Sequence, residues 1–228
     1  SSLSIGNSGT ITFNTAPDYE TKTSYSVTVT VSDGASPISQ DLSINITNLN
    51  DVFPVISSSS TLNADENQTS VGTVEASDVE GDVLTYQLSG DDAGALNISS
   101  SGIITFGAAP NYESKNTYSA ILSVNDGVNT TSQNLTININ DVNDIPLIFS
   151  NSTFNANENQ TFAGLVDAQD EDGDELSYTV RGSDAALFNI DDSGEINFIT
   201  APDYEVKDLY SISVAVSDGE LTNTQNLT

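Results

Sequence analysis

The sequence predicts an all-β chain of tandem Greek-key β-sandwich repeats, about 92–93 residues each and arranged end to end. Three observations predict it: landmarks that return at one period, strand-type alternation of apolar residues inside each period, and turn signals between the alternating runs.

The period comes first. Ala16-Pro17-Asp18-Tyr19-Glu20 returns as Ala109-Pro110-Asn111-Tyr112-Glu113 and as Ala201-Pro202-Asp203-Tyr204-Glu205, so the prolines stand 93 and 92 residues apart. Asp33-Gly34, Asp126-Gly127 and Asp218-Gly219 keep the same interval, as do Glu66 and Glu158, and Asn50-Asp51 and Asn143-Asp144. Within a period, Tyr25, Val27, Val29 and Val31 alternate with Ser and Thr, and Leu42, Ile44 and Ile46 do so again. Such alternation describes half-buried antiparallel strands, because successive side chains of a strand point to opposite faces. Asn7-Ser8-Gly9, Ser100-Ser101-Gly102 and Asp192-Ser193-Gly194 mark one series of turns, and the Asp-Gly pairs mark another. About seven short strands in each period fit a sandwich in the size range of immunoglobulin-like domains.

The repeat divides the chain into residues 1–51, the C-terminal half of a unit, residues 52–143, a complete unit, and residues 144–228, a unit short of its last residues. Leu3, Ile5 and Phe13 align with Leu96, Ile98 and Phe106, which places the first segment in the second half of the sandwich. Half a sandwich cannot close a core, so the natural protein is expected to extend in both directions.

Charge narrows the partners. There are 33 acidic residues against four basic ones, a formal charge of −29, with no His, Cys, Met or Trp and a hydrophobic fraction of 36%. Nucleic acid is excluded, since it demands clustered Lys and Arg. No apolar run reaches membrane-spanning length, so no insertion is expected. Clustered carboxylates invite a divalent cation or serve as a solubilising surface. Catalysis is not expected: without His or Cys it would fall on paired carboxylates, yet the clustered acids recur in each unit, as a catalytic site seldom does.

The ordered set Ala64-Asp65-Glu66-Asn67, Ala156-Asn157-Glu158-Asn159, the Pro-Asp-Tyr-Glu segments, Asp141-Val142-Asn143-Asp144-Ile145-Pro146 and the Asp-Gly pairs resembles the calcium-binding set of cadherin repeats, across the whole chain. The resemblance implies that each junction draws ligands from both neighbouring repeats and from the linker. At the second junction these are Glu66, Asn111, Glu113, Asp141, Asn143, Asp144, Asp170, Asp172 and Asp218. At the first they are Asp18, Glu20, Asn48, Asn50, Asp51, Asp78, Glu80 and Asp126. Glu158, Asp203 and Glu205 belong to a third. The family places three Ca²⁺ ions at such a junction, bound through oxygen alone. Asn48, Glu80 and Asn111 depart from the family's Asp, and Ile145 from its Asn. Asp82 and Asp174 fall outside the pattern and read as solvated turn residues.

Absence of Cys and the Asp-Tyr-Glu variant resemble repeats of large bacterial cell-surface adhesins more than animal receptors. The function this implies is a calcium-rigidified extracellular stalk or adhesion array whose partners are its own neighbouring repeats. A carbohydrate-binding surface module, contacting cell-surface protein or polysaccharide, is an alternative. Its usual Trp platform is missing, and all eight Tyr sit at repeated positions. Lateral self-assembly of edge strands into a filament or sheath is the other.

Overall fold

A computed structural model describes residues 2–228; Ser1, the first residue of the expected 1–51 segment, lies outside the described residues. Among the described residues the chain is all-β apart from two single-turn 3₁₀ segments, Ala93–Ala95 and Ala185–Leu187. It forms two compact units, one of residues 1–110 with 117–139 and one of residues 111–116 with 140–228.

In the first unit, Leu3–Ile5 pairs with Ile11–Phe13 and Ser24–Val31 pairs with Ile38–Asn45, both antiparallel. Residues 52–139 then build two facing sheets. One runs Leu96–Ile98, Ile103–Phe106, Ser70–Thr73, and the other Thr61–Asp65, Thr130–Asn140, Thr117–Asn125, Thr85–Ser89. Alternation decides what each strand buries. In Thr117–Asn125, Ala120, Leu122 and Val124 point inward at 6%, 1% and 0% exposure, and Val74, Leu96, Ile104 and Phe106 are buried likewise.

The second unit repeats the plan with Phe162–Leu165, Glu195–Phe198 and Phe188–Ile190 against Ser177–Arg181, Ile212–Ser217 and Thr222–Leu227. Its core gathers Ala163, Val166, Phe188, Ile196, Phe198, Ile212, Val214, Val216 and Leu227. One strand differs from its sister. Thr61–Asp65 is laddered onto the 11-residue strand Thr130–Asn140, whereas residues 153–157 form no strand among the described residues, and the segment is joined to the end of the six-residue strand Thr222–Leu227 by Phe154 N–H to Thr228 O at 3.0 Å and Thr228 N–H to Ser152 O at 3.0 Å.

Two repeated devices hold the sandwiches. Tyr25, Tyr118 and Tyr210 pack edge-on against Phe13, Phe106 and Phe198, with centroids 4.9, 4.9 and 5.0 Å apart. Gly102 and Gly194 turn their hairpins at φ +79° and +81°, and a Cβ on either would stand 2.4 Å from a backbone oxygen, of Val74 and Val166 respectively. The tyrosines at 25, 118 and 210 are therefore structural, as the repeat predicts, while Tyr204 is 64% exposed.

Candidate metal centres

The acidic motifs are turns before they are anything else, and the turns aim the carboxylates. Asp126 receives the N–H groups of Val128 and Asn129 on Oδ1 at 2.7 and 2.6 Å, the side-chain-capped geometry expected of Asp ahead of Gly. Asp218 does the same for Glu220 and Leu221 at 2.7 and 2.6 Å, and Asp33 for Ala35 and Ser36 at 2.9 and 3.3 Å. Asp78 and Asp170 likewise hold the N–H groups of Glu80 and Asp172 on Oδ1 at 2.8 and 3.0 Å. In each the second oxygen is left for another partner.

At the first junction the linker is docked by amides. Asn50 donates to the Asp126 carbonyl at 3.2 Å and accepts from the Asn129 side chain at 3.0 Å. The N–H of Asp51 meets both Glu80 oxygens at 3.2 and 3.1 Å, and the N–H of Val52 adds a bond at 3.0 Å. Glu80, where the resemblance expects Asp, thus reaches the linker with its extra methylene. Around this dock, Glu20, Asp51 and Glu80 present oxygens within 4.8 Å of one another, and so do Asp78, Glu80 and Asp82. Asp78 Oδ2 and Asp126 Oδ2 are buried without a hydrogen-bond donor.

The second unit contains the matching pieces. Asp144 N–H bonds Asp172 Oδ2 at 2.7 Å, and the Asn143 side chain donates to Asp218 Oδ2 at 3.0 Å. Glu113, Asp144 and Asp172 come within 4.8 Å of one another; Asp170, Asp172 and Asp174 form a further group, and Glu158, Asp203 and Glu205 another. Asp170 Oδ2 and Asp172 Oδ1 are buried without a donor. Glu158 also accepts the Tyr204 N–H at 3.3 Å.

Asn67 and Asn159 explain why Glu-Asn and Pro-Asp/Asn-Tyr-Glu travel together. Both adopt left-handed backbone, φ 60° and 61°, and bond the carbonyls of Pro110 and Pro202 at 3.0 Å. Each Glu-Asn step is thereby tied to the segment that opens the next acidic turn. Glu66 itself is 2% exposed.

Electrostatics follows the geometry. Burial, then the charges of Asp78, Glu80 and Asp126, pushes the Asp82 carboxyl up. At Glu20, a bond from its own amide lowers the carboxyl, but burial, the bond to Asp18 and the charges of Glu80 and Asp18 carry it upward on balance. Asp126 and Asp218 move the other way: burial raises each, and the amides they hold, with Asn143 added at Asp218, outweigh it.

Not every expected residue joins a group. Asp18 turns its oxygens onto the N–H groups of Glu20 and Thr21 and the Thr21 hydroxyl. Asn111 gives its side-chain amide to Glu171 at 3.3 Å. Asn48 and Asp141 are exposed and stand in none of these groups. Asp82 and Asp174, expected as solvated turn residues, do follow the turn glycines Gly81 and Gly173; Asp82 is half-buried and Asp174 exposed, and each brings an oxygen within 4.8 Å of the preceding Asp-x-Glu or Asp-x-Asp. The signal for them is the full spacing Asp78-Val79-Glu80-Gly81-Asp82, repeated as Asp170-Glu171-Asp172-Gly173-Asp174.

A family profile described as Bacterial Ig domain matches residues 50–139 and 143–228. Human protocadherin-15 is 33% identical over 158 residues, covering 64% of this chain and 8% of that protein. Drosophila cadherin-99C is 26% identical over 221 residues, covering 89% of this chain and 13% of that protein. The chain thus spans a small part of these relatives' length. The crystal structure of mouse protocadherin-24 EC1-3 shares the fold, with a TM-score of 0.61 at 20% identity over 99% of this chain and 85% of that one.

Proposed function

The chain belongs to the Bacterial Ig domain family, its repeats are cadherin-like, and on that premise we propose that it is a calcium-rigidified stretch of an extracellular stalk or adhesion protein. The observation that carries the reading is the set of buried carboxylate oxygens without donors, on Asp78 and Asp126 in the first unit and on Asp170 and Asp172 in the second. A buried acceptor left unsatisfied costs on the order of 1–3 kcal/mol, more when charged, so four of them, Asp78 and Asp170 at equivalent positions of the two repeats, ask for a cation.

The residues present fit Ca²⁺. All the donors are hard oxygens and several carboxylates converge, as flexible six- to eight-fold oxygen coordination requires. Glu20, Asp51, Glu80, Asp78, Asp82 and Asp126 would hold it at the first junction, and Glu113, Asp144, Asp170, Asp172 and Asp174 within the second unit. A bound cation supplies charge neutralisation and a cross-link among these carboxylates. The protein's part is to present them ready-made: the Asp-Gly and Asp-x-Glu turns fix one oxygen of each Asp on amides and leave the other facing the group. Asn50 and Glu80 keep the linker docked meanwhile. Without a cation, like charges at these separations repel, and the linker loosens.

Extracellular modules of this kind work with dissociation constants of about 10⁻⁴–10⁻³ M. The test is chymotrypsin cleavage at exposed Leu49, with thermal melting alongside. Millimolar calcium is expected to slow cleavage and raise the melting temperature, and Asp126→Asn to abolish most of both effects. Equal cleavage and melting with calcium and with chelator would end the calcium reading.

A further inference from the structure

Three of the chain's four basic residues stand at one place in the repeat: Lys22, Lys115 and Lys207, separated by 93 and 92 residues. Each closes the acidic turn with its backbone. The N–H of Lys22 bonds Asp18 O at 2.9 Å, that of Lys115 bonds Asn111 O at 3.0 Å, and that of Lys207 bonds Asp203 O at 3.0 Å. Inside these turns lie Asp18 and Glu20, Asn111 and Glu113, and Asp203 and Glu205.

The side chains reach away from the acids they follow. Lys207 forms an ion pair with Asp184, whose side chain is 14% exposed and which also receives the Ser211 N–H at 2.8 Å. Its ammonium lies 4.7 Å from the centre of the Tyr210 ring, and that of Lys22 lies 4.4 Å from the Tyr25 ring. Those rings are the ones wedged against Phe198 and Phe13. In the second repeat the Asp184 anchor recurs, with Asp92 receiving the Ser119 N–H at 2.8 Å. The lysine therefore links an exposed turn to the packed body of its sandwich.

We propose that this repeated lysine is a positioning residue for the carboxylates of the acidic turn: the ring, joined at Lys207 by the Asp184 carboxylate, holds its ammonium, its amide holds the turn, and the turn holds Glu20 or Asp203 and Glu205 in place for a divalent cation. The inference rests on the calcium reading above. Charge and position act with opposite signs here. Removing a nearby positive charge by itself tightens cation binding, whereas losing the anchor weakens it.

The experiment uses the whole 228-residue chain, unaltered and as Lys22→Met, Lys22→Arg, Lys207→Met and Asp184→Asn. Hydrogen exchange in chelator reads the turns without metal: faster exchange of residues 18–22 in Lys22→Met, and of residues 203–207 in Lys207→Met and Asp184→Asn, is expected with the strands unchanged. Calcium calorimetry is then expected to show about tenfold weaker binding in Lys22→Met, the usual scale for loss of an outer-shell support, and recovery in Lys22→Arg. Unchanged or tighter binding in Lys22→Met, with the unaltered chain binding normally, overturns the positioning role and leaves the calcium reading intact. An unaltered chain that takes up no calcium overturns both. Should Lys22→Met melt far below the unaltered chain, Tyr25→Leu, which keeps the charge and removes the ring, is expected to give the same loss, and normal binding there also overturns the proposal.

Discussion

Asp126 and its sisters divide their two carboxylate oxygens between separate tasks. At Asp126, Oδ1 closes a turn on two amides, which holds the carboxyl below the usual range against the push of burial, and Oδ2 is buried without a donor; at Asp218 the second oxygen takes the Asn143 side chain. Asp82 shows the opposite balance, with burial and three negative neighbours raising its carboxyl. A carboxyl whose pKa is raised on folding opposes stability in full above its folded value and stops doing so as pH falls through that value to below its unfolded value of about 3.9. Asp82→Asn is accordingly expected to raise the melting temperature in chelator at neutral pH and to shrink the rise that calcium gives; differential scanning fluorimetry reads both. Asp184 is lowered, first by its Lys207 hydrogen bond and then by the Ser211 amide. Its contribution is present above pH of about 4 and is lost as pH falls through the lowered value, so acid is expected to lower the protection factors of residues 203–207, measured against the intrinsic rate at each pH, as Asp184→Asn does at neutral pH.

For elements, alternation gives paired predictions. Ile104 is 0% exposed and Ile103 is 48% exposed on the same strand. Ile104→Ala is expected to cost about 2–5 kcal/mol. Ile103→Ala should stay within about 0.5 kcal/mol, and urea unfolding separates the two. Gly102→Ala is expected to cost on the order of 1–3 kcal/mol or more, since positive φ and the Val74 oxygen both refuse the methyl group. These strands and hairpins were legible in the sequence because period-two alternation and Gly turns are local signals. The weak edge at residues 153–157 was not, because laddering there depends on a partner strand far along the chain. The acids divide similarly. Asp51, Glu80, Asp144 and Asp172 could be picked by motif, whereas the inclusion of Asp82 and Asp174 follows from how a glycine folds the loop. That Asp18 caps its own turn and Asn111 gives its amide to Glu171 is a matter of rotamer, which spacing does not encode.

At the scale of the whole molecule, a charge of −29 makes stability depend on what screens it. Raising ionic strength from about 0.01 to about 0.15 M shortens the screening length from about 30 to about 8 Å. In chelator this is expected to raise the melting temperature, and with millimolar calcium the same change should have a smaller effect; scanning calorimetry across the four conditions tests it. The divided carboxylate of the Asp-Gly turns has a further consequence for how such proteins evolve. Asparagine keeps a side-chain oxygen able to cap the turn, so exchanging Asp for Asn removes charge while the hairpin survives, and the two residues' codons differ by a single base. On the proposed calcium reading, lineages of these repeats can therefore drift between cation-holding and cation-indifferent links without passing through a misfolded intermediate, and stiffness becomes a trait that selection adjusts one link at a time.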